Sequence, residues 1–230
     1  MKKPEYKSTK WDIKKEVIRK NRYLENKINE INEIENKFNA NEYDAIKYCL
    51  LMSTNYEVIC GYEYILNKNE NVFISINNAY EKLKEAYELY NKGISTTKAI
   101  ERIMKKDKKG TIMLCYAVIL NKFESVKNMV RKDNVFFMFF NREYANVEKK
   151  CKMLLESDSD NEILKMMIAI CNKNEKEMQF LIYQRVKKIR KQASESMVYI
   201  DIWLTALLKI AKEQGLNFDC DFIEVLKDMV

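Results

Sequence analysis

The hexapeptides ILNKNE at residues 65–70, ILNKFE at residues 119–124 and ICNKNE at residues 170–175 each end one apolar segment and begin another. Asparagine tolerates the left-handed backbone conformation that closes a helix. A glutamate three residues later suits the positive N-terminus of a following helix. We therefore expect each hexapeptide to join two helices into a hairpin.

The intervals between the hexapeptides, from residue 65 to 119 and from 119 to 170, are 54 and 51 residues. Intervals of this length fit stacked helical repeats, while a compact bundle of hairpins needs only the turn chemistry. Asparagine and lysine are so common in this sequence that chance also explains the likeness. A true repeat and a compact bundle are both compatible with the pattern.

The scarcity of turn residues extends the helical prediction to the whole chain. Its 230 residues include only four glycines and one proline, which strand-rich folds need at short intervals. Hydrophobic residues make up 47% and charged residues 33%, as is typical of globular proteins. We predict an all-α fold, a single-domain multi-helix bundle of antiparallel helical hairpins over residues 1–230, either compact or solenoid-like. Residues 1–107 would supply the N-terminal helices and residues 108–230 the C-terminal hairpins.

Apolar residues recur at steps of three and four along most of the chain, as in amphipathic helices. The run KKDKKG at residues 105–110 predicts a solvated connector. The run VFFMFF at residues 135–140 fits a buried strand or a helix, and its helical surroundings favour a helix. The predicted helices span residues 11–38, 42–66, 73–90, a short stretch ending at 104, then 111–120, 124–130, 142–155, 161–171, 175–191, 196–214 and 222–230.

The first predicted helix has Val17, Leu24, Ile31 and Phe38 at seven-residue intervals, with Ile28 at a neighbouring position. This spacing fits a coiled-coil dimer, but a strip of so few heptads more often packs on the protein's own body. We therefore expect the helix to pack within its own chain.

The residues that most enzymes need are missing. Histidine, the commonest general base and metal ligand, is absent. The sequence also has no glycine-rich phosphate loop and no carboxylate cluster with metal-ligand spacing. Its six cysteines lie far apart in apolar stretches, without a CxxC pair, and are expected to be small buried hydrophobes. We predict a protein that is not an enzyme and holds no cofactor or metal.

Residues 1–20 carry lysine and arginine throughout and include no apolar block of the kind a secretion signal requires. No run approaches the ~18 consecutive apolar residues of a membrane-spanning helix. We therefore expect a soluble protein of the cytoplasm, where cysteines stay reduced.

Residues 160–218 contain an apolar helix that ends at a polar, acidic turn (173–175), a basic helix (184–191) and an aliphatic segment that stops at a glycine (210–215). This arrangement resembles an all-helical family of bacterial immunity proteins of the polymorphic-toxin systems, the forty-ninth immunity family. The resemblance implies an antitoxin that binds and blocks a toxin used in bacterial competition, with no catalytic residues. Tetratricopeptide-like repeats also join helices at tight turns before a glutamate, so a helical-repeat scaffold or regulator that binds another cellular protein is the alternative.

The net charge of +7 is gathered in basic clusters at residues 14–22, 105–109 and 185–191. Such clusters suit nucleic acid, a membrane surface or an acidic protein, although glutamates interleaved with lysines also fit solvated helix faces. Without a recognisable nucleic-acid-reading motif, a toxin with an acidic contact surface is the favoured partner. No nucleic acid or membrane is expected, and a homo-oligomer is compatible with the sequence but not indicated.

Tyrosine and arginine dominate the energetics of many interfaces, and this chain has 14 tyrosines. Residues 200–215, by contrast, are expected to pack into the core because their apolar positions follow helical spacing. The candidate partner-binding residues expected on semi-exposed faces are Tyr62, Tyr64, Tyr87, Tyr90, Arg142 and Tyr144. The basic candidates are Arg185, Lys187, Lys188 and Arg190.

Overall fold

A computed structural model describes residues 13–192, 200–221, 225–226 and 229–230. These residues form ten α-helices and no strand, which confirms the all-α prediction. The helices are α1 (Ile13–Asn39), α2 (Ala45–Ile65), α3 (Asn69–Asn91), α4 (Lys98–Lys105), α5 (Asp107–Ile119), α6 (Val135–Phe140), α7 (Tyr144–Leu155), α8 (Glu162–Cys171), α9 (Glu175–Gln192) and α10 (Ile202–Glu213), with a 3-10 helix at Phe123–Ser125.

Two of the predicted segments are wrong. The connector at 105–110 is largely helical, because only Lys106 is extended and α5 already begins at Asp107. A run of lysines predicts exposure and not irregular backbone, since lysines extend into water from one helix face. The helix predicted at 124–130 is a 3-10 helix followed by turns, in which the Met129 N–H bonds to the Val126 carbonyl at 2.9 Å. The helices predicted at 196–214 and 222–230 fall partly outside the described residues, and Leu226 is not helical.

Two compact units divide the chain after Met113, within α5. We call the described residues 13–113 the N-terminal unit and the described residues from 114 onward the C-terminal unit. The expectation of a single domain stays a prediction.

In the N-terminal unit, α2 and α3 form a hairpin and α1 packs on α2. Leu24, Ile31 and Ile34 of α1 are buried in one cluster with Met52 and Ile59 of α2. The long first helix therefore packs within its own chain, as expected. Ile28 departs from the predicted apolar strip, because its side chain is exposed.

In the C-terminal unit, α7 packs on α8 and α8 on α9, while α6 contacts α7 and α10 contacts α8. The middle of α10 is fully buried at Leu204, Leu207 and Leu208, which confirms that this helix is a core element. Trp203, at its start, is only half-buried.

The predicted turns close their helices as expected. Asn67, Asn121 and Lys173 have φ angles of 56°, 58° and 51°, in the left-handed region. The N–H of the next residue bonds to the carbonyl five residues back, as in a Schellman motif. These bonds join Lys68 to Glu63 at 2.8 Å, Lys122 to Ala117 at 2.6 Å and Asn174 to Ala169 at 2.8 Å.

The three turns are nevertheless not equivalent. In the third hexapeptide the left-handed residue is Lys173, one position later than the asparagine that aligns with Asn67 and Asn121. Only the first and third hexapeptides join two long helices, since the 3-10 helix follows the second. Hairpins at 65–70 and 170–175 are therefore confirmed, and the hairpin at 119–124 is wrong. This difference favours shared turn chemistry over a repeated unit.

The position of the third turn can be tested with glycine. We expect Lys173→Gly to raise the free energy of unfolding by about 0.5–1 kcal/mol, because glycine adopts a positive φ without β-carbon strain. Asn172→Gly is the matched control. Asn172 has a φ of −91°, which needs no glycine, so this variant should bring no gain. Urea unfolding followed by circular dichroism measures both, and a gain at 172 but not at 173 would contradict the turn.

Candidate functional site

The predicted contact tyrosines are not all at the surface. Tyr62 and Tyr87 are buried, with exposed fractions of 3% and 6%, so the prediction that they lie on semi-exposed faces is wrong. Tyr62 stacks on Tyr23 of α1 with ring centroids 6.0 Å apart, a tertiary contact that helical spacing alone does not reveal. Tyr64 and Tyr90 are half-buried.

Two of the four predicted basic contact residues on α9 are held in ion pairs within the C-terminal unit. Arg185 Nε donates to Asp201 Oδ2 at 2.7 Å, and Lys188 Nζ lies 2.9 Å from Glu162 Oε1. Glu162 begins α8 and Asp201 caps α10, so these pairs tie three helices together. Lys187 is exposed, and the side chain of Arg190 lies outside the described residues.

Arg142 lines a half-open cavity of about 360 Å³ in the C-terminal unit, and Tyr144 interacts with Arg142 from outside the lining. The ends of α5, α6 and α10 surround this cavity. We call it the Arg142 cavity. Its lining consists of Val118, Asn121, Phe123, Glu124, Phe140, Asn141, Arg142, Ile210 and Glu213.

The wall of the Arg142 cavity is aromatic. The ring of Phe140 lies 6.3 Å from that of Phe123 and 5.7 Å from that of the fully buried Phe139. Phe136 carries the cluster onward, with its ring 5.2 Å from that of Trp203 at the start of α10. The six-residue helix α6 folds because Asn134 accepts hydrogen bonds from its first N–H groups and its phenylalanines are buried. The run VFFMFF thus supplies one lining residue, Phe140, and the buried rings that pack around it.

The rim of the cavity is charged and polar. Arg142 follows α6 in the left-handed conformation, with φ 62°, and its guanidinium reaches Glu213 Oε2 at 3.4 Å. The Arg142 side chain is 67% exposed. Next to it, the Tyr144 hydroxyl accepts a hydrogen bond from Gln214 Nε2 at 2.8 Å, and burial raises the pKa of this tyrosine. The rim therefore offers a guanidinium that is open to solvent.

Lys209 explains why the end of α5 is stable beside this cavity. Its Nζ donates to the Ile119 carbonyl at 2.8 Å, at the negative C-terminus of the helix. Burial lowers the pKa of Lys209, and the nearby Glu213 opposes this shift. The lysine is therefore a structural cap within the unit.

The chemistry of the lining suits recognition. It contains neither serine nor cysteine, and its two carboxylates are exposed, Glu213 beside Arg142 and Glu124 beside Lys127. Apolar rings beneath an arginine, two amides and two carboxylates can hold a side chain of a partner protein. Sequence reasoning missed Phe123 and Phe140 as site residues. The density of phenylalanines at 136–140 was the only signal for Phe140, and the sequence offered none for Phe123.

Elsewhere the reactive groups are buried in helix packing. Burial raises the pKa of the Cys49 and Cys151 thiols to about 12, which keeps them protonated. Burial also raises the pKa of the Glu63 carboxyl, against the effect of the Ser75 hydroxyl that donates to it at 2.6 Å. Cys171 and Cys220 depart from the expectation of buried cysteines, because both are half-buried.

Among the residues that the structure describes, no group of three or more cysteine and carboxylate side chains is placed to hold a metal ion. No helix in the described ranges combines the length and the apolar character needed to cross a membrane. No family model matches this sequence, and no curated protein and no solved structure is significantly similar to it.

Proposed function

We propose that this chain is an immunity protein that binds a cognate bacterial toxin and neutralises it in a tight complex. The observation that carries the proposal is the Arg142 cavity, an aromatic pocket beside a solvent-exposed arginine. Pockets and arginines of this kind contribute most of the binding energy in many interfaces. The sequence resemblance over residues 160–218 supplies the class of partner.

The Arg142–Glu213 pair supports this role because it is easy to exchange. Its single contact is 3.4 Å long and both side chains are exposed, so the pair contributes about 0–1 kcal/mol. A partner carboxylate could replace Glu213 at little cost and gain the bidentate geometry that arginine offers. This fits a toxin with an acidic contact surface.

The proposal predicts that a toxin is encoded beside this gene, and the test uses that toxin. Cells that make the toxin should survive only when this protein is present, and the two chains should co-purify. Arg142→Ala and Phe123→Ala should each weaken the complex by at least about 30-fold, equivalent to about 2 kcal/mol. Calorimetry on the purified proteins measures the affinities.

Arg131→Ala is the matched control. Its side chain is 65% exposed and pairs with Asp133, but it does not line the cavity, so the affinity should be unchanged. If the wild-type protein binds the toxin and the cavity variants bind it equally well, the cavity is not the contact. If the wild type neither binds nor protects, and instead forms a stable complex with a different cellular protein, the scaffold alternative replaces the immunity proposal.

A further inference from the structure

The three basic clusters of the sequence have different surroundings in the structure. In the first, the Arg19 guanidinium lies 5.9 Å from the ring centroid of Tyr23, and Lys20 is buried with its Nζ 5.9 Å from the ring centroid of Tyr62. In the third, Arg185 and Lys188 form ion pairs within the unit. These four cations make contacts inside the protein, and Arg22 and Lys187 are the exposed described cations of the two clusters. The second cluster differs because Lys105, Lys106 and Lys108 are all exposed.

The second cluster belongs to a wider basic segment, residues 92–109. This segment holds seven lysine or arginine residues and two acidic residues, a net charge of +5 in a chain whose total is +7. Within α4, Lys98, Arg102 and Lys105 are spaced by four and three residues and so share one helix face. The exposed cations of the segment are Lys92, Lys98, Arg102, Lys105, Lys106 and Lys108.

The described side chains of the N-terminal unit form few ion pairs with these cations. Lys105 lies 3.6 Å from Glu101. Lys98, Arg102, Lys106 and Lys108 make no ion pair with any side chain that the structure describes. Like charges held this close on one surface repel each other, and an acidic partner surface would relieve that repulsion.

The basic face also has an apolar edge. α4 buries Met104 against the unit, whereas Ile103, next to Arg102, is 39% exposed, and Ile94 is exposed shortly before the helix. An aliphatic side chain gains nothing from a phosphate backbone, and residues 92–109 contain no aromatic side chain for stacking on bases. One exposed isoleucine on an eight-residue helix is also too little apolar surface for insertion into a membrane.

We propose that Lys98, Arg102, Lys106, Lys108 and Ile103 form a docking surface for an acidic segment of a protein. The carboxylates of that segment face the cations, and one of its aliphatic side chains packs on Ile103. This inference rests on the proposed function, because it assigns a second surface, in the N-terminal unit, to an acidic segment of the toxin.

The test uses three labelled probes and full-length variants. The probes are an acidic peptide of about 20 residues built from glutamate and leucine, a DNA duplex of about 20 base pairs, and vesicles with about one-third phosphatidylserine. The charge-reversed variant is K98E/R102E/K108E. Glutamate at positions 98 and 108 lies in the first turn of a helix, where it is favourable, so the variant should keep its helix content.

The matched control is K132E/K149E/K176E, which changes the net charge equally at exposed sites of the C-terminal unit. We expect fluorescence anisotropy to show that the K98E/R102E/K108E variant binds the acidic peptide at least about tenfold more weakly than the wild type, with a flatter salt dependence. The control should change affinity by about twofold or less. Ile103→Ser should weaken binding by about three- to fivefold. If K98E/R102E/K108E loses helix content, K98Q/R102Q/K108Q replaces it. We expect this neutral variant to bind the acidic peptide about threefold more weakly than the wild type.

Equal effects of the two charge-reversed variants would overturn the inference, because net charge alone would then explain binding. Tighter binding of the duplex or the vesicles than of the peptide, lost in K98E/R102E/K108E, would also overturn it in favour of a nucleic acid or a membrane. The wild type could bind the acidic peptide and lose that binding in K98E/R102E/K108E, yet fail to bind the toxin. That result would refute the proposed function alone. Toxin binding that is sensitive to Arg142→Ala but not to K98E/R102E/K108E would refute the docking surface alone.

Discussion

Replacing Asp201 with alanine is expected to lower the free energy of unfolding by about 3 kcal/mol. The buried carboxylate has two roles. Its Oδ1 accepts hydrogen bonds from the N–H groups of Trp203 and Leu204, both at 3.1 Å, and so caps α10. Its Oδ2 accepts from Arg185 Nε at 2.7 Å. Alanine would remove the cap and leave the half-buried guanidinium with Glu162, 3.9 Å away, as its remaining anionic contact among the described side chains.

Asp133→Ala is the matched control for this prediction. Asp133 also accepts two hydrogen bonds from an arginine, Arg131, but both side chains are exposed. Exposed pairs contribute little to stability, so the midpoint of urea unfolding should hardly move. Equal losses in the two variants would show that the Asp201 pair is no more important than a surface pair.

Phe139→Ala is expected to lower the free energy of unfolding by about 3–5 kcal/mol, the usual range for a buried phenylalanine. Phe139 is fully buried, and its ring contacts those of Phe140 and Tyr144 at centroid distances of 5.7 and 6.1 Å. Its carbonyl also accepts the Arg142 N–H at 3.0 Å. The variant should therefore lose toxin affinity together with stability.

Phe123→Ala separates these two effects. Phe123 is half-buried and lines the cavity, so alanine should cost only about 1–2 kcal/mol of stability while still weakening the complex. Urea unfolding and calorimetry on both variants provide the comparison. If the two variants are equally stable, the aromatic cluster around Phe139 is not a core of the C-terminal unit.

The candidate site could be predicted only in part. Arg142 was expected from residue type and lines the Arg142 cavity, whereas Tyr144, expected on the same ground, lies outside the lining and bonds to Gln214. Tyr62 of α2 and Tyr87 of α3 have the same chemical character but are buried, and Tyr62 is covered by the packing of α1. Helical spacing shows that a face is apolar, and it does not show how much of a tyrosine on that face stays in water.

The sequence by itself determined the helices and several of their ends. The apolar spacing, the scarcity of glycine and proline, and the left-handed asparagines at 67 and 121 act within a few residues, so they can be recognised without the fold. The tertiary structure decided which charges are used internally. Arg185 and Lys188 are paired because α8 and α10 bring Glu162 and Asp201 to them, across 16 to 26 residues of sequence.

The clusters at 105–109 and 185–191 look alike as sequences, but they differ in how many of their cations form ion pairs within the protein. A lysine pairs with the nearest carboxylate in space, and that carboxylate is supplied by packing between helices distant in the chain. α4 has one acidic neighbour within its own turn, Glu101, and the packing of the described residues brings its other exposed cations no further carboxylate. The packing of the helices therefore decides which basic face stays open to a partner, and local composition does not.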